Sequence, residues 1–198
     1  MNGATQDPRI VRTRALLRNA LMELIADRGF SSLTIQDVTQ QAGLHRTTFY
    51  LHYTGLHELL EDCTKTLFSE VRNEIYRVWD MQQDPATLEP VVENVFHHLE
   101  RHEAFYRTLL GKQGDPLFRE LFQALLSELI FEPFMENASR EDMSYPLEMT
   151  RQFYSTGFIG IASWWLEKGM PISAEQAAQQ IIKDILPAYL RLMRNGYR

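Results

Sequence analysis

Apolar positions recur along this chain at spacings of three and four. Ile10, Leu17, Leu21 and Leu24 fall on one line of a helix, as do Leu60, Leu67, Val71, Ile75 and Val78 further on. No segment sustains the two-residue alternation with β-branched enrichment that marks a strand. The pattern predicts an all-α protein of about nine helices, at roughly 8–28, 34–41, 45–52, 56–80, 86–102, 104–110, 116–135, 146–168 and 174–195.

Punctuation supports these boundaries. Asp7-Pro8, Asp84-Pro85 and Asp115-Pro116 each set a capping carboxylate before a proline whose missing N–H costs nothing in a first helical turn. Thr34 with Asp37, and Ser173 with Gln176, have the spacing of capping boxes. Gly29, Gly43, Gly111 and Gly169 each follow a helical stretch, where a left-handed terminating residue is expected. Pro187 predicts a kink in the last helix.

The chain has 198 residues, 44% hydrophobic and 23% charged, which is ordinary for a folded protein large enough to bury a core. No apolar run approaches the roughly 18–20 residues of a membrane span, and the N-terminal stretch lacks the apolar segment of a signal peptide. A cytoplasmic protein with no membrane partner is expected. The single Cys63 can form neither an internal disulfide nor a metal site by itself. The net charge of −6 is unevenly spread: residues 1–57 carry six Arg against four acidic residues, so a mildly basic head precedes an acidic body.

Catalytic patterns are missing. There is no Gly-x-Ser-x-Gly and no Cys–His pair at useful spacing, and Gly111-Lys112-Gln113 has Gln where a phosphate loop needs Ser or Thr. No catalytic residue, cofactor or resident metal is therefore expected. His98 and His102 stand one helical turn apart, a spacing that could bind metal, but two His with only Glu100 or Glu103 nearby make a weak site, and an ordinary solvated face is expected.

The informative stretch is 34–50. Ile35, Val38 and Ala42 give a short helix one buried stripe, Gly43 permits a tight turn, and a second short helix follows at once. Small, Gly and apolar residues at 42–44 let two short helices cross closely, the helix-turn-helix arrangement whose second helix can enter a DNA major groove.

The ordered run Gly29-Phe30, Thr34-Ile35, Ala42-Gly43, Thr48-Phe49-Tyr50, His52-Tyr53 and Leu59-Leu60 resembles the head of TetR-family transcriptional regulators over roughly residues 10–62. The resemblance implies a DNA-binding domain over 1–55 and a ligand-sensing and dimerisation domain over 56–198. It also implies that Thr34, Gln36, His45, Arg46, Thr47, Thr48, Tyr50 and His52 serve DNA. Thr48 and Tyr50 would hold phosphate and Arg46 and Thr47 would approach base edges, while Phe49 is expected in the core. Two positions depart from the family pattern: His45 stands where Ser usually caps the recognition helix, and Leu56 where Lys usually meets a phosphate, with His57 beside it as a partial substitute.

The body is rich in aromatics, and the segments His102–Gly111, Gly114–Phe118 and Trp165–Pro171 look like a TetR-type sensing domain. Trp79, Phe96, Phe105, Phe122 and Tyr154 are the expected lining of a site for an apolar or aromatic effector between helices. Two of the helices carry more apolar residues than one stripe requires. Phe153, Gly157, Gly160, Trp164, Ile181, Ile185 and Tyr189 are the expected homodimer interface, a four-helix contact. The function expected is a ligand-responsive regulator, a repressor by preference, that binds a pseudo-palindromic double-stranded operator. The competing reading is a helical small-molecule-binding or interaction protein whose head has lost DNA affinity.

Overall fold

The computed structural model describes residues 7–81, 89–112, 114–128 and 147–185, apart from the side chains of 78–81, 147, 148, 150, 151, 184 and 185. Nine α-helices lie among the described residues: α1 Pro8–Arg28, α2 Ile35–Gln41, α3 Arg46–Tyr50, α4 Leu56–Met81, α5 Glu89–Arg101, α6 Glu103–Leu110, α7 Pro116–Leu126, α8 Leu147–Glu167 and α9 Ala174–Gln180. No strand is present among them. None of these helices is long and apolar enough to cross a membrane.

The helix starts follow the sequence chemistry. The Asp7 carboxylate accepts from the Arg9 N–H, and that of Asp115 from the Phe118 N–H, so both Asp-Pro pairs cap as expected. Asp84-Pro85 lies outside the described residues. Thr34 with Asp37 and Ser173 with Gln176 form complete capping boxes. Gly43 at φ +66° makes the turn between α2 and α3, a conformation in which any side chain is strained. Gly111 departs from expectation: its φ is −61°, and a Cβ there would stand 2.6 Å from the Arg107 carbonyl oxygen. It is required for close approach rather than for left-handed backbone.

Other boundaries also differ. The recognition helix is α-helical only over Arg46–Tyr50, and the helix expected to run from 174 gives way after Gln180 to a π-helical turn, Ile181–Ile185. That turn is consistent with Ile181 and Ile182 both leaning on the core from the end of a short helix. The later part of the expected helix 116–135 and Pro187 lie outside the described residues.

Helix α1 packs against α2, α4 and α6; α4 also packs against α5 and α7; α8 closes on α5, α6 and α7, and α9 on α5. One apolar core runs unbroken from Leu17, Val38 and Phe49 in the head to Phe96, Phe122 and Trp165 in the body. Its body portion is an aromatic layer. Phe118 stacks on Phe122 with centroids 6.1 Å apart and meets the edge of Phe105 at 5.5 Å, while Phe96 meets Trp165 edge-on at 5.1 Å. The Trp165 indole N–H donates to the Ile172 carbonyl at 2.8 Å, so its one polar atom is satisfied.

Candidate DNA-binding site

Helix α2 packs on α1 and α3 on α2, and Val38 and Phe49 are both fully buried in the shared core. Phe49 at 0% exposure is the core residue expected from the sequence. Burying it turns its neighbours outward: Thr34, Gln36, His45, Arg46, Thr47 and Tyr50 are exposed, and Thr48 and His52 are half-buried. All eight residues assigned to DNA from the sequence are thus at least partly accessible, at the start of α2 and along and just beyond α3.

Two of them are already engaged with each other. The Arg46 guanidinium lies 5.6 Å from the Tyr50 ring centroid and donates to the Tyr50 hydroxyl at 3.0 Å. This pair holds a cation and a hydroxyl together on the outer face of α3, the two groups that a phosphate or a guanine edge accepts from. His45 occupies the N-cap of α3 with extended backbone but makes no side-chain capping bond, so the α3 N–H groups are uncapped by it. Leu56 packs against the core at the start of α4. His57 sets its ring edge-on to Phe30 at 5.0 Å, with Nε2 3.6 Å from an Asp115 carboxylate oxygen, which places it at the junction of head and body.

The sequence reading missed the group that fastens this unit to α4. Asp62 accepts from Arg14 at 3.0 Å, from Arg18 at 2.9 Å and from the Tyr53 hydroxyl at 2.6 Å, and Arg14 Nε donates to the same Tyr53 oxygen at 3.1 Å. Burial opposes the Asp62 charge, but the Tyr53 and Arg18 hydrogen bonds and the two guanidinium charges outweigh it and hold the carboxyl below its ordinary pKa. Burial first, then the bond to Asp62, pushes the Tyr53 hydroxyl up to about 12. The signal available was Arg14 and Arg18 one turn apart on α1. Their partner 44 or more residues away carries no local mark.

The remaining expected site residues divide. Phe96, Phe105 and Phe122 are close-packed within the aromatic layer, Tyr154 is half-buried against the core, and the Trp79 side chain lies outside the described residues. A cleft of about 810 Å³ opens at the junction of head and body, lined by Arg28, Phe30, His57, Arg107, Lys112 and Asp115 among others, and by none of the five expected ligand residues. Of the expected interface, Phe153 is 61% and Trp164 48% exposed, and a Cβ added at Gly157 or Gly160 would meet nothing within 4 Å. Together with exposed Met149 they make one outward apolar line along α8. Ile181 instead packs partly against the core, and the Ile185 side chain and Tyr189 are outside the described residues.

Family comparisons agree with this layout. Residues 17–63 match the family described as bacterial regulatory proteins, tetR family, and residues 86–185 match a transcriptional regulator C-terminal region, TetR_C_8. The chain is 35% identical over 66 residues to the uncharacterized HTH-type transcriptional regulator YxbF of Bacillus subtilis, covering 33% of this chain but only 17% of that protein. It is 22% identical to the HTH-type transcriptional repressor KstR2 of Mycolicibacterium smegmatis, over 85% of this chain and 88% of that one. A TetR transcriptional regulator from Streptococcus agalactiae superposes with a TM-score of 0.69 at 25% identity, covering 98% and 99% of the two chains. Two ligand-bound structures share the fold: Thermus thermophilus FadR with lauroyl-CoA (TM-score 0.61, 19% identity, 87% and 93% covered) and RolR with resorcinol (0.59, 17%, 88% and 88%). An exposed polar α3 seated on a buried Phe49, on an all-helical body matched over its greater part, has one meaning: the chain belongs to the TetR family of transcriptional regulators.

Proposed function

We propose that this protein is a cytoplasmic, ligand-responsive repressor that binds a pseudo-palindromic operator as a homodimer, with residues 1–55 reading DNA and 56–198 sensing the ligand and dimerising. The observation that carries the reading is the exposed face of α2–α3, with the Arg46–Tyr50 pair at its centre. The outward apolar line of α8 supports the dimer, since a second copy laid along it would cover Phe153 and Trp164, which are 61% and 48% exposed. The effector in this reading is an apolar or aromatic small molecule received among α4–α8, in keeping with the lauroyl-CoA and resorcinol bound by proteins of the same fold. Because Phe96, Phe105 and Phe122 are close-packed here, admitting such a molecule has to part the aromatic layer. Phe68 of α4 lies in that layer, 5.7 Å from Phe122, so ligand binding and a shift of α4 become one event.

The test is fluorescence anisotropy of the purified protein on genomic fragments across a salt series. Binding should be sequence-selective and fall steeply with salt. Tyr50→Ala should weaken all sequences alike by about 1–3 kcal/mol with little change in salt slope, since the phenol carries no charge, whereas Arg46→Ala should cost about 1–3 kcal/mol, lower the salt slope and relax base preference. A protein that forms no salt-sensitive, sequence-selective complex is the helical binding protein of the competing reading.

A further inference from the structure

The two histidines that the sequence sets one turn apart do not form a solvated face. His98, at the end of α5, is 1% exposed, and the acidic residue that approaches them is Glu70 of α4 rather than Glu100 or Glu103. The His98 and His102 rings lie with centroids 4.8 Å apart, and His102 Nε2 stands 3.9 Å from a Glu70 carboxylate oxygen. Each of the three residues offers a ligand atom such that all three atoms lie within 4.8 Å of one another.

Local structure does not account for these histidines. His98 shares a hydrogen bond of 2.8 Å between Nε2 and the Tyr106 hydroxyl, but its Nδ1 is buried with no partner among the described residues. A buried ring nitrogen without a partner is a cost to the fold. His102 is the N-cap of α6 and makes no side-chain capping bond, at a position where Ser, Thr, Asp or Asn would stabilise the helix. In the tautomer whose Nε2–H donates to the Tyr106 hydroxyl, His98 presents a bare Nδ1 lone pair. That is the arrangement in which a second hydrogen bond fixes the tautomer of a metal-ligating imidazole.

We infer that Glu70, His98 and His102 form a binding site for one zinc-class divalent cation, with a fourth position left to water or to an oxygen or nitrogen of a small ligand. Two imidazoles and a carboxylate suit Zn²⁺ and neighbouring transition metals rather than Mg²⁺ or Ca²⁺, which take oxygen ligands. In a tetrahedral site with bonds of about 2.0–2.1 Å, ligand atoms stand about 3.3 Å apart, so separations of up to 4.8 Å must close by as much as about 1.5 Å. Glu70 is exposed and His102 half-buried, so both can move toward the fixed His98. The ion would bridge α4 to the α5–α6 junction and brace the long helix that carries the head.

The experiment is titration of the full-length, chelator-stripped protein with Zn²⁺ by calorimetry, and with Co²⁺ by visible absorption, on wild type, Glu70→Gln, His102→Ala and His97→Ala. His97 belongs to a second cluster with Glu93 and Glu175, at least partly exposed, and serves as the control. Expected results are one equivalent of Zn²⁺ per chain, a tetrahedral Co²⁺ spectrum, and a melting temperature raised by Zn²⁺. Affinity should fall at least tenfold in Glu70→Gln and His102→Ala and stay within threefold in His97→Ala. Circular dichroism checks that the variants remain helical, and because Glu70 is exposed its variant reports on binding even if His102→Ala misfolds. Wild type without saturable binding overturns the inference, and so does binding that survives Glu70→Gln unchanged or is lost in His97→Ala. The site does not depend on the DNA-binding reading, and neither do these measurements.

Discussion

Replacing Asp62 with Asn keeps the shape of the side chain and removes the one charge on which Arg14, Arg18 and Tyr53 converge. Hydrogen bonds to a charged partner contribute about 1.5–3 kcal/mol each when well shielded, while exposed ion pairs contribute about 0–1. The Arg14 and Arg18 side chains are 32% and 21% exposed, so their pairs fall between these limits, and the Tyr53 hydroxyl is the best shielded of the three donors. The variant should lose roughly 2–3 kcal/mol, which for a chain of this size lowers the melting temperature by about 4–12 °C. The pH dependence has a definite sign. The native carboxyl is held below its ordinary value, so its contribution is complete above the unfolded pKa near 3.8 and fades as pH falls through the lowered native one. Thermal melts of wild type and variant should therefore be well separated at pH 7 and converge in acid. Glu61→Gln, which breaks only the exposed i,i+4 pair with Lys65, should cost about 0.3–0.5 kcal/mol and serves as the control. Melting curves that coincide at pH 7, or a gap that persists undiminished in acid, would refute the reasoning.

Restoring a capping side chain with His45→Ser should stabilise the protein by about 0.5–1 kcal/mol; an unchanged urea midpoint would show that the start of α3 is satisfied by other means. Phe49→Ala should cost about 3–5 kcal/mol and abolish operator binding at temperatures where the body is still helical, followed by denaturant melts and anisotropy together. Gly160→Arg has opposite effects in the two assemblies. A lone subunit has open space at that position and gains helix propensity, whereas a dimer joined through α8 acquires an unpaired buried charge. Sedimentation should show a well-folded monomer, and a variant still dimeric at micromolar concentration would move the interface elsewhere.

How much of this was legible in the sequence depends on the range over which each feature is specified. Asp115 before Pro116, Thr34 with Asp37 and Ser173 with Gln176 act within three residues, so composition at the spot determines them, and the structure has each cap in place. The seating of Phe49 was legible for a related reason: its burial follows from periodicity, and outward placement of Arg46, Thr47 and Tyr50 follows from its burial. Gly111 shows the limit of a local rule. Its position after a helix suggested a left-handed cap, but the need for glycine comes from the Arg107 carbonyl against which the turn folds back.

Features that depend on a distant partner left little trace. Arg14, Arg18 and Asp62 look like unrelated surface charges until α1 is laid against α4. The same applies to His98, whose spacing from His102 suggested a water-facing pair. Phe96, Phe105 and Phe122 carry the opposite lesson. Aromatic density signals either a cavity or a filled core, and whether facing rings interdigitate is decided by the helix separations that tertiary packing sets. In this chain they interdigitate. A ligand among them would have to work against close packing, and under the proposed function that work would connect an occupied body to the position of α4, which Phe68 ties to the same layer.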